Sequence, residues 1–349
     1  MSDSPTARTL PSRCGAPDVP LAPGERIGEW TIRGTLGAGG MATVYEVVND
    51  AGRRAAVKLA HRALIGPDLP AETFLREARV AEQIGHAGAI AVHATGMHDG
   101  RPYLVLELLR GTSLGARLDA GAPLPRVVAC ELLLELVDVL RAAHASGVTH
   151  RDLKPDNVFL LAPRGERRLK LLDWGVAHVA GEPDPFRTMI AGTLSYVAPE
   201  QIRGDESTTA SDVYALGVLA FRMFCTRAPF AAQSDLDLLK LHLHAPPPRA
   251  RTAWPAIPDT LDDLLAAMLA KEPLDRPSLD EVERVLQASW VELAPRRIAR
   301  GTEPQVTYRR SQQVATPEPP PNAHEPAESH APRWLPVALG LARIFTMLW

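Results

Sequence analysis

The stretch Thr149-His150-Arg151-Asp152-Leu153-Lys154-Pro155-Asp156-Asn157-Val158 puts a carboxylate, an ammonium and a carboxamide at Asp152, Lys154 and Asn157. Asp and Asn both favour turns, so alone they could simply cap a loop. Working outward, Leu172-Asp173-Trp174-Gly175 places a second aspartate 21 residues after Asp152. A further 27 residues lead to Glu200, the end of Gly192-Thr193-Leu194-Ser195-Tyr196-Val197-Ala198-Pro199-Glu200. A lysine and a second aspartate in register with the first cluster make loop capping an insufficient reading.

Upstream, Glu29–Leu36 alternates like a strand and runs into Gly37-Ala38-Gly39-Gly40-Met41-Ala42. A second β-rich run, Thr43–Val48, follows, and Asn49-Asp50-Ala51-Gly52 then signals a turn into a third strand, Arg54–Lys58. Glycines between antiparallel strands let backbone N–H groups approach an anion that a Cβ would obstruct. A strand follows these glycines where a dinucleotide fold would need a helix. Lys58 ends an apolar run, a setting that points an ammonium into a site rather than into water. The helical pattern Ala71–Ile84 carries Glu77 among Phe74, Leu75, Ala78, Val80 and Ala81. Glu77 gains meaning only in combination with Lys58.

The ordered set of motifs, with Tyr103-Leu104-Val105-Leu106-Glu107-Leu108 and Ser211-Asp212-Val213-Tyr214-Ala215-Leu216-Gly217, resembles the bacterial, eukaryotic-like (Hanks-type) serine/threonine protein kinases. The resemblance covers about Glu29 to Leu293. It implies an α+β, bilobal fold: a small antiparallel β N-lobe with one helix, and a larger α-helical C-lobe. Helical faces there are expected from Glu131–Leu140, Leu261–Ala270 and Ser278–Leu286, the last opening with a capping box of Ser278 and Glu281.

The same resemblance implies the chemistry. Phosphoryl transfer passes through a loose, charge-spread transition state, so the protein mainly positions groups and stabilises charge. Asp152 would accept or orient the acceptor hydroxyl, and Lys154 would neutralise the moving phosphoryl group. Asn157 and Asp173 would hold Mg²⁺, or Mn²⁺ in its place, hard cations that prefer oxygen ligands. Lys58 would contact the α/β-phosphates of ATP and pair with Glu77. The ATP cradle would comprise Leu36, Gly37, Ala38, Gly39, Gly40, Met41, Ala42, Thr43 and Val44. Val44 and Ala56 would sandwich the adenine, Leu106 would lie deep in its pocket, and Glu107 to Leu109 would form the hinge. Asp212 would anchor the catalytic loop, and Glu200 would pair with Arg276.

Three residues depart from the family pattern. Ala42 replaces the third loop glycine, so weaker ATP binding is expected. Trp174 replaces phenylalanine in the metal-binding motif, and small Ala81, one helical turn after Glu77, is read as making room for it. Arg151 is the type of residue that captures a phosphate on the activation segment. Thr188 is the one hydroxyl residue between Gly175 and Gly192, which makes it the candidate phosphosite. Pro183 and Pro185 offer another route to an ordered segment, one that needs no phosphate.

The chain has 349 residues, 38 basic against 41 acidic, and net charge -3. Such a balance argues against a nucleic-acid binder. Cys14, Cys130 and Cys225 are too few and too scattered for a disulfide framework, which suits a reducing compartment. Residues 1–28 read as a Pro-rich disordered leader, 29–293 as the kinase domain, and 294–333 as a Pro-rich linker. Residues 334–349 are apolar with tryptophans at both ends and Arg343 within. They are read either as a membrane anchor at the inner face of the plasma membrane or as an amphipathic tail on a membrane or partner. The expected partners are protein substrates, and the compartment is the cytoplasm. A catalytically weak pseudokinase scaffold is the alternative function, and a small-molecule phosphotransferase of related fold is a more distant rival.

Overall fold

A computed structural model of the protein describes residues 20–62, 71–162, 168–182 and 194–294. The leader, the C-terminal linker, the 334–349 tail, Thr188 and Thr193 lie outside the described residues.

The N-terminal lobe is a six-stranded sheet of β1 (Arg26–Ile27), β2 (Trp30–Ala38), β3 (Ala42–Asn49), β4 (Arg54–Ala60), β5 (Val92–His98) and β6 (Arg101–Leu106). Its spatial order is β1-β2-β3-β4-β6-β5, and every neighbouring pair is antiparallel. Alternation along these strands divides their side chains between two faces. Ile27, Trp30, Ile32, Tyr45, Val47, Val57 and Leu59 form one small core. Ala56, Leu104 and Leu106 join the main core instead, together with Val80, Ala81 and Ile84 of helix α1 (Ala71–Ile84). The turn at Asn49 closes as expected: Gly52 donates to the Asn49 carbonyl at 2.9 Å, with a φ of 78° that favours glycine.

The C-terminal lobe is mainly helical. A short strand, β7 (Gly111–Ser113), leads into α2 (Leu114–Asp119) and the long α3 (Arg126–Ala145). Four short strands then frame the motif loops: β8 (Val148–Thr149), β9 (Val158–Leu161), β10 (Leu169–Leu171) and β11 (His178–Val179). They pair as β10-β9-β7 and β11-β8. After them come α4 (Pro199–Arg203), α5 (Thr209–Cys225), α6 (Asp235–His244), α7 (Asp259–Met268) and α8 (Leu279–Leu293). Helix α5 is buried on nearly all sides, which fits its apolar composition. This is the bilobal α+β arrangement that the motifs imply.

Helix α8 opens at Ser278, whose Oγ accepts the Glu281 N–H at 3.3 Å. The return bond of the expected capping box is missing among the described residues; the Glu281 carboxylate lies 3.7 Å from Arg284 instead. An exposed glutamate at this position has an alternative partner one turn along the helix. No helix among the described residues is long and apolar enough to cross a membrane.

Candidate active site

Strand β4 and helix α1 bring Lys58 and Glu77 together. Lys58 Nζ donates to Glu77 Oε2 at 2.7 Å and to Asp173 Oδ1 at 3.0 Å. Glu77 also accepts the backbone N–H of Trp174. One helix face, one strand and one loop, distant in sequence, thus meet at a single ammonium. Burial pulls the Lys58 pKa down, but the Glu77 and Asp173 carboxylates more than offset it, so the ammonium is held charged.

The loop after β8 gathers the other predicted groups. Lys154 Nζ donates to Asp152 Oδ2 at 2.6 Å, and the Asn157 amide donates to the same oxygen at 3.1 Å. Asn157 also donates to the Asp152 carbonyl at 2.8 Å, which fixes the loop on itself. Arg151 and Asp173 have φ of 68° and 60°. Non-glycine residues in the left-handed region store strain that the surroundings must hold. Asp212 on α5 helps to hold Arg151: its two oxygens accept the N–H groups of His150 and Arg151, each at 2.9 Å, and Gln201 donates to the Arg151 carbonyl at 3.0 Å. Asp212 also receives His144 Nε2 at 2.8 Å, a contribution from α3 that no motif signals.

The two aspartates differ electrostatically. For Asp152, burial outweighs the nearby Lys154 and raises the carboxyl pKa. For Asp173, burial also pushes upward, but the Lys58 ammonium overcomes it and lowers the pKa. Environments that separate two carboxyls in this way suit one to handling a proton and the other to remaining a permanent anion.

Above this cluster lies the glycine turn. Gly39 donates to the Ala42 carbonyl at 2.9 Å. None of Gly37, Gly39 and Gly40 has a positive φ, and a Cβ added at Gly37 or Gly40 would meet nothing within 4 Å. The protein's own packing therefore gives no reason for glycine at those two positions, and the open space suits the close approach of an anionic group. Leu36 and Met41 are exposed, and Ala38 pairs with Thr43 across the turn. Thr43 turns inward, its Oγ1 3.0 Å from His61 Nε2. Ala42 begins β3 as an ordinary strand residue, buried and without positive φ. The alanine methyl group thus sits on the backbone here without strain.

Val44, Ala56 and Leu106 lie together in the main cluster beside this turn, with Ala56 paired to Leu106. The Glu107 backbone N–H is used by the Ala91 carbonyl at 3.0 Å. Its side chain accepts the Ala91 N–H at 2.8 Å and Lys170 Nζ at 2.5 Å. The Glu107 carbonyl and the Leu109 N–H have no hydrogen-bond partner among the described residues. Among those residues there is also no cluster of three or more His, Cys, Asp or Glu side chains suited to a metal. One carboxylate and one carboxamide do fit a cation such as Mg²⁺, which takes few protein ligands and completes its shell with phosphate and water.

In the C-lobe, Arg276 Nη1 and Nη2 each meet one oxygen of Glu200 at 2.7 Å. Two further site features escape motif reading: the buried Arg76 beside Glu77, and the packing of His150 on Trp174.

A family model described as the protein kinase domain matches residues 30–291. The chain is 38% identical over 276 residues to serine/threonine-protein kinase Pkn1 of Myxococcus xanthus, covering 77% of this chain and 39% of the relative. It is 36% identical over 271 residues to serine/threonine-protein kinase PkaA of Streptomyces coelicolor, covering 77% and 49%. With serine/threonine-protein kinase PknA of Mycobacterium tuberculosis it shares 34% over 256 residues, covering 71% and 58%. The chain thus spans between 39% and 58% of the length of these relatives.

Proposed function

The chain belongs to the protein kinase family, in its bacterial serine/threonine branch, and from that premise we propose that it transfers the γ-phosphoryl group of ATP to Ser and Thr hydroxyls of proteins, itself included, in bacterial signalling. The observation that carries the proposal is the convergence of Lys154 and Asn157 on one oxygen of Asp152, beside a charged Lys58 already paired with Glu77 and Asp173.

In this reading the acceptor oxygen forms a bond to the γ-phosphorus as the bond to the β-γ bridging oxygen breaks. The electron pair leaves on ADP, and the acceptor proton passes to Asp152. Asp152 orients that hydroxyl, and its raised pKa favours receipt of the proton. Lys154 stabilises charge on the group in transit, and Lys58, kept in place by Glu77, aligns the α/β-phosphates. The glycine turn presents N–H groups to the phosphates, and the Glu107 carbonyl and Leu109 N–H serve the adenine edge. Asn157 and Asp173 would hold Mg²⁺ or Mn²⁺, which neutralises phosphate charge. The complete set of charged groups supports an active enzyme over a scaffold.

The test is autophosphorylation with labelled ATP and Mg²⁺ by the full chain and by Asp152→Asn, with mapping of the modified residues. Transfer by the parent alone, onto Ser or Thr with Thr188 among them, is the expected result. Nucleotide binding with no transfer to the chain or to a panel of protein acceptors would replace the enzyme with the scaffold.

A further inference from the structure

Arg76 is buried, and each nitrogen of its guanidinium donates a hydrogen bond. Nε and Nη2 both donate to Glu182 Oε2 at 3.1 Å, and Nη1 donates to the Ala177 carbonyl at 2.5 Å. A buried guanidinium needs a counter-charge, and Glu182 is the carboxylate paired with it among the described residues. Both of its partners belong to the short segment that leaves Asp173-Trp174-Gly175. That segment is itself pinned: β11 pairs with β8 immediately before the catalytic loop, and the Glu182 N–H donates to the Val179 carbonyl at 3.1 Å.

Arg76 and Glu77 are consecutive on α1, so they leave the helix on different bearings. Glu77 turns to Lys58 and the Trp174 N–H, and Arg76 turns to residues 177–182. If that segment withdrew, a charge would stay buried without its partner. An outward swing of α1 toward water would relieve this and would carry Glu77 with it, away from Lys58.

We propose that Arg76 and Glu182 are positioning residues that tie α1, and through it the Lys58–Glu77 bond, to the segment after Gly175 by a carboxylate already in the chain, without a phosphate. The proposal rests on the kinase reading for its catalytic readout, and hydrogen exchange of α1 tests the tether independently.

The experiment uses the phosphatase-treated full chain. Glu182→Gln and Arg76→Gln are made alone and combined with Glu77→Gln, and kcat, KM for ATP and exchange of α1 amides in nucleotide-free protein are measured. Each single variant is expected to lose about tenfold or more in kcat, the size of one charged hydrogen bond, with KM for ATP changing less and α1 exchanging faster. Beside Glu77→Gln, the same changes should cost less than about twofold more, because they act through a bond already lost. Losses that multiply with Glu77→Gln would reveal an independent structural role and overturn the proposal. Unchanged exchange in α1 would also overturn it, even if the parent chain showed no transfer and the kinase reading itself failed.

Discussion

The indole of Trp174 lies against the imidazole of His150, ring centroids 4.6 Å apart and planes tilted by 59°. His150 accepts the Asp152 N–H at Nδ1, at 3.2 Å, and places Nε2 3.1 Å from the Leu172 carbonyl. The loop that carries Asp173 and the loop that carries Asp152 are therefore joined through packed rings as well as through charges.

Trp174 is fully buried, and its indole N–H has no hydrogen-bond partner among the described residues. It shares the main core with Ala81. Ala81→Leu should destabilise the parent by about 1–3 kcal/mol, the usual cost of overpacking, and by clearly less beside Trp174→Phe. Urea titrations of the four proteins decide this, with kcat following the same order. Equal losses in both backgrounds would mean that Ala81 makes no room for the indole.

The raised pKa of Asp152 fixes the sign of a pH effect. Activity needs the carboxylate, so kcat/KM falls as the pH drops through a pKa above the ordinary aspartate value of 3.8. The Lys154 charge opposes that rise. Lys154→Met should therefore move the acid limb to still higher pH as well as lower the plateau. A pH-rate profile with an unmoved or lowered limb would separate the lysine from the titration of Asp152.

Glu200 and Arg276 form a buried two-bond ion pair, 3% and 0% exposed at their side chains. Arg276→Met strands a carboxylate and should cost about 3–5 kcal/mol, with the double Glu200→Met, Arg276→Met losing less than that single variant. Burial pushes the Glu200 pKa up, but Arg276 and Ser211 prevail and hold it below 4.5. A depressed carboxylate contributes stability above its unfolded pKa. That contribution is present above about pH 4.5 and disappears as the pH falls through the folded value. Thermal melts of parent and Glu200→Gln should converge in acid, and a constant gap would contradict the linkage.

Ala42 behaves as strand. Ala42→Gly should cost about 0.5–1 kcal/mol of stability, the entropic cost of glycine in a strand. It should change KM for ATP by less than about twofold, since uniform binding is untouched. A large fall in KM would restore the expectation that the methyl group hinders the nucleotide.

The sequence discloses some parts of this molecule and conceals others for physical reasons. Helix α1 is legible because its apolar spacing repeats over four turns, and Lys58, Asp152, Asn157 and Asp173 because each stands in a short motif of distinctive chemistry. The strands β7 to β11, two to four residues long, are too short to show alternation. Arg76 and Glu182 are separated by 106 positions, and neither looks unusual in its own stretch. His144 reads as one more residue of a helix face until Asp212 appears beside it. Ala42 stands out only against a family pattern, and no motif encodes the local φ that lets an alanine sit there.

Asp212 has a further consequence. It hangs the left-handed bend at Arg151 from α5, the helix buried on nearly all sides, while Gln201 of α4 donates to the Arg151 carbonyl at 3.0 Å. A loop tied at this bend to the lobe's most buried helix is expected to hold until that helix gives way. Slow cooling after a brief overheating should return chemistry and secondary structure together, on a single time course.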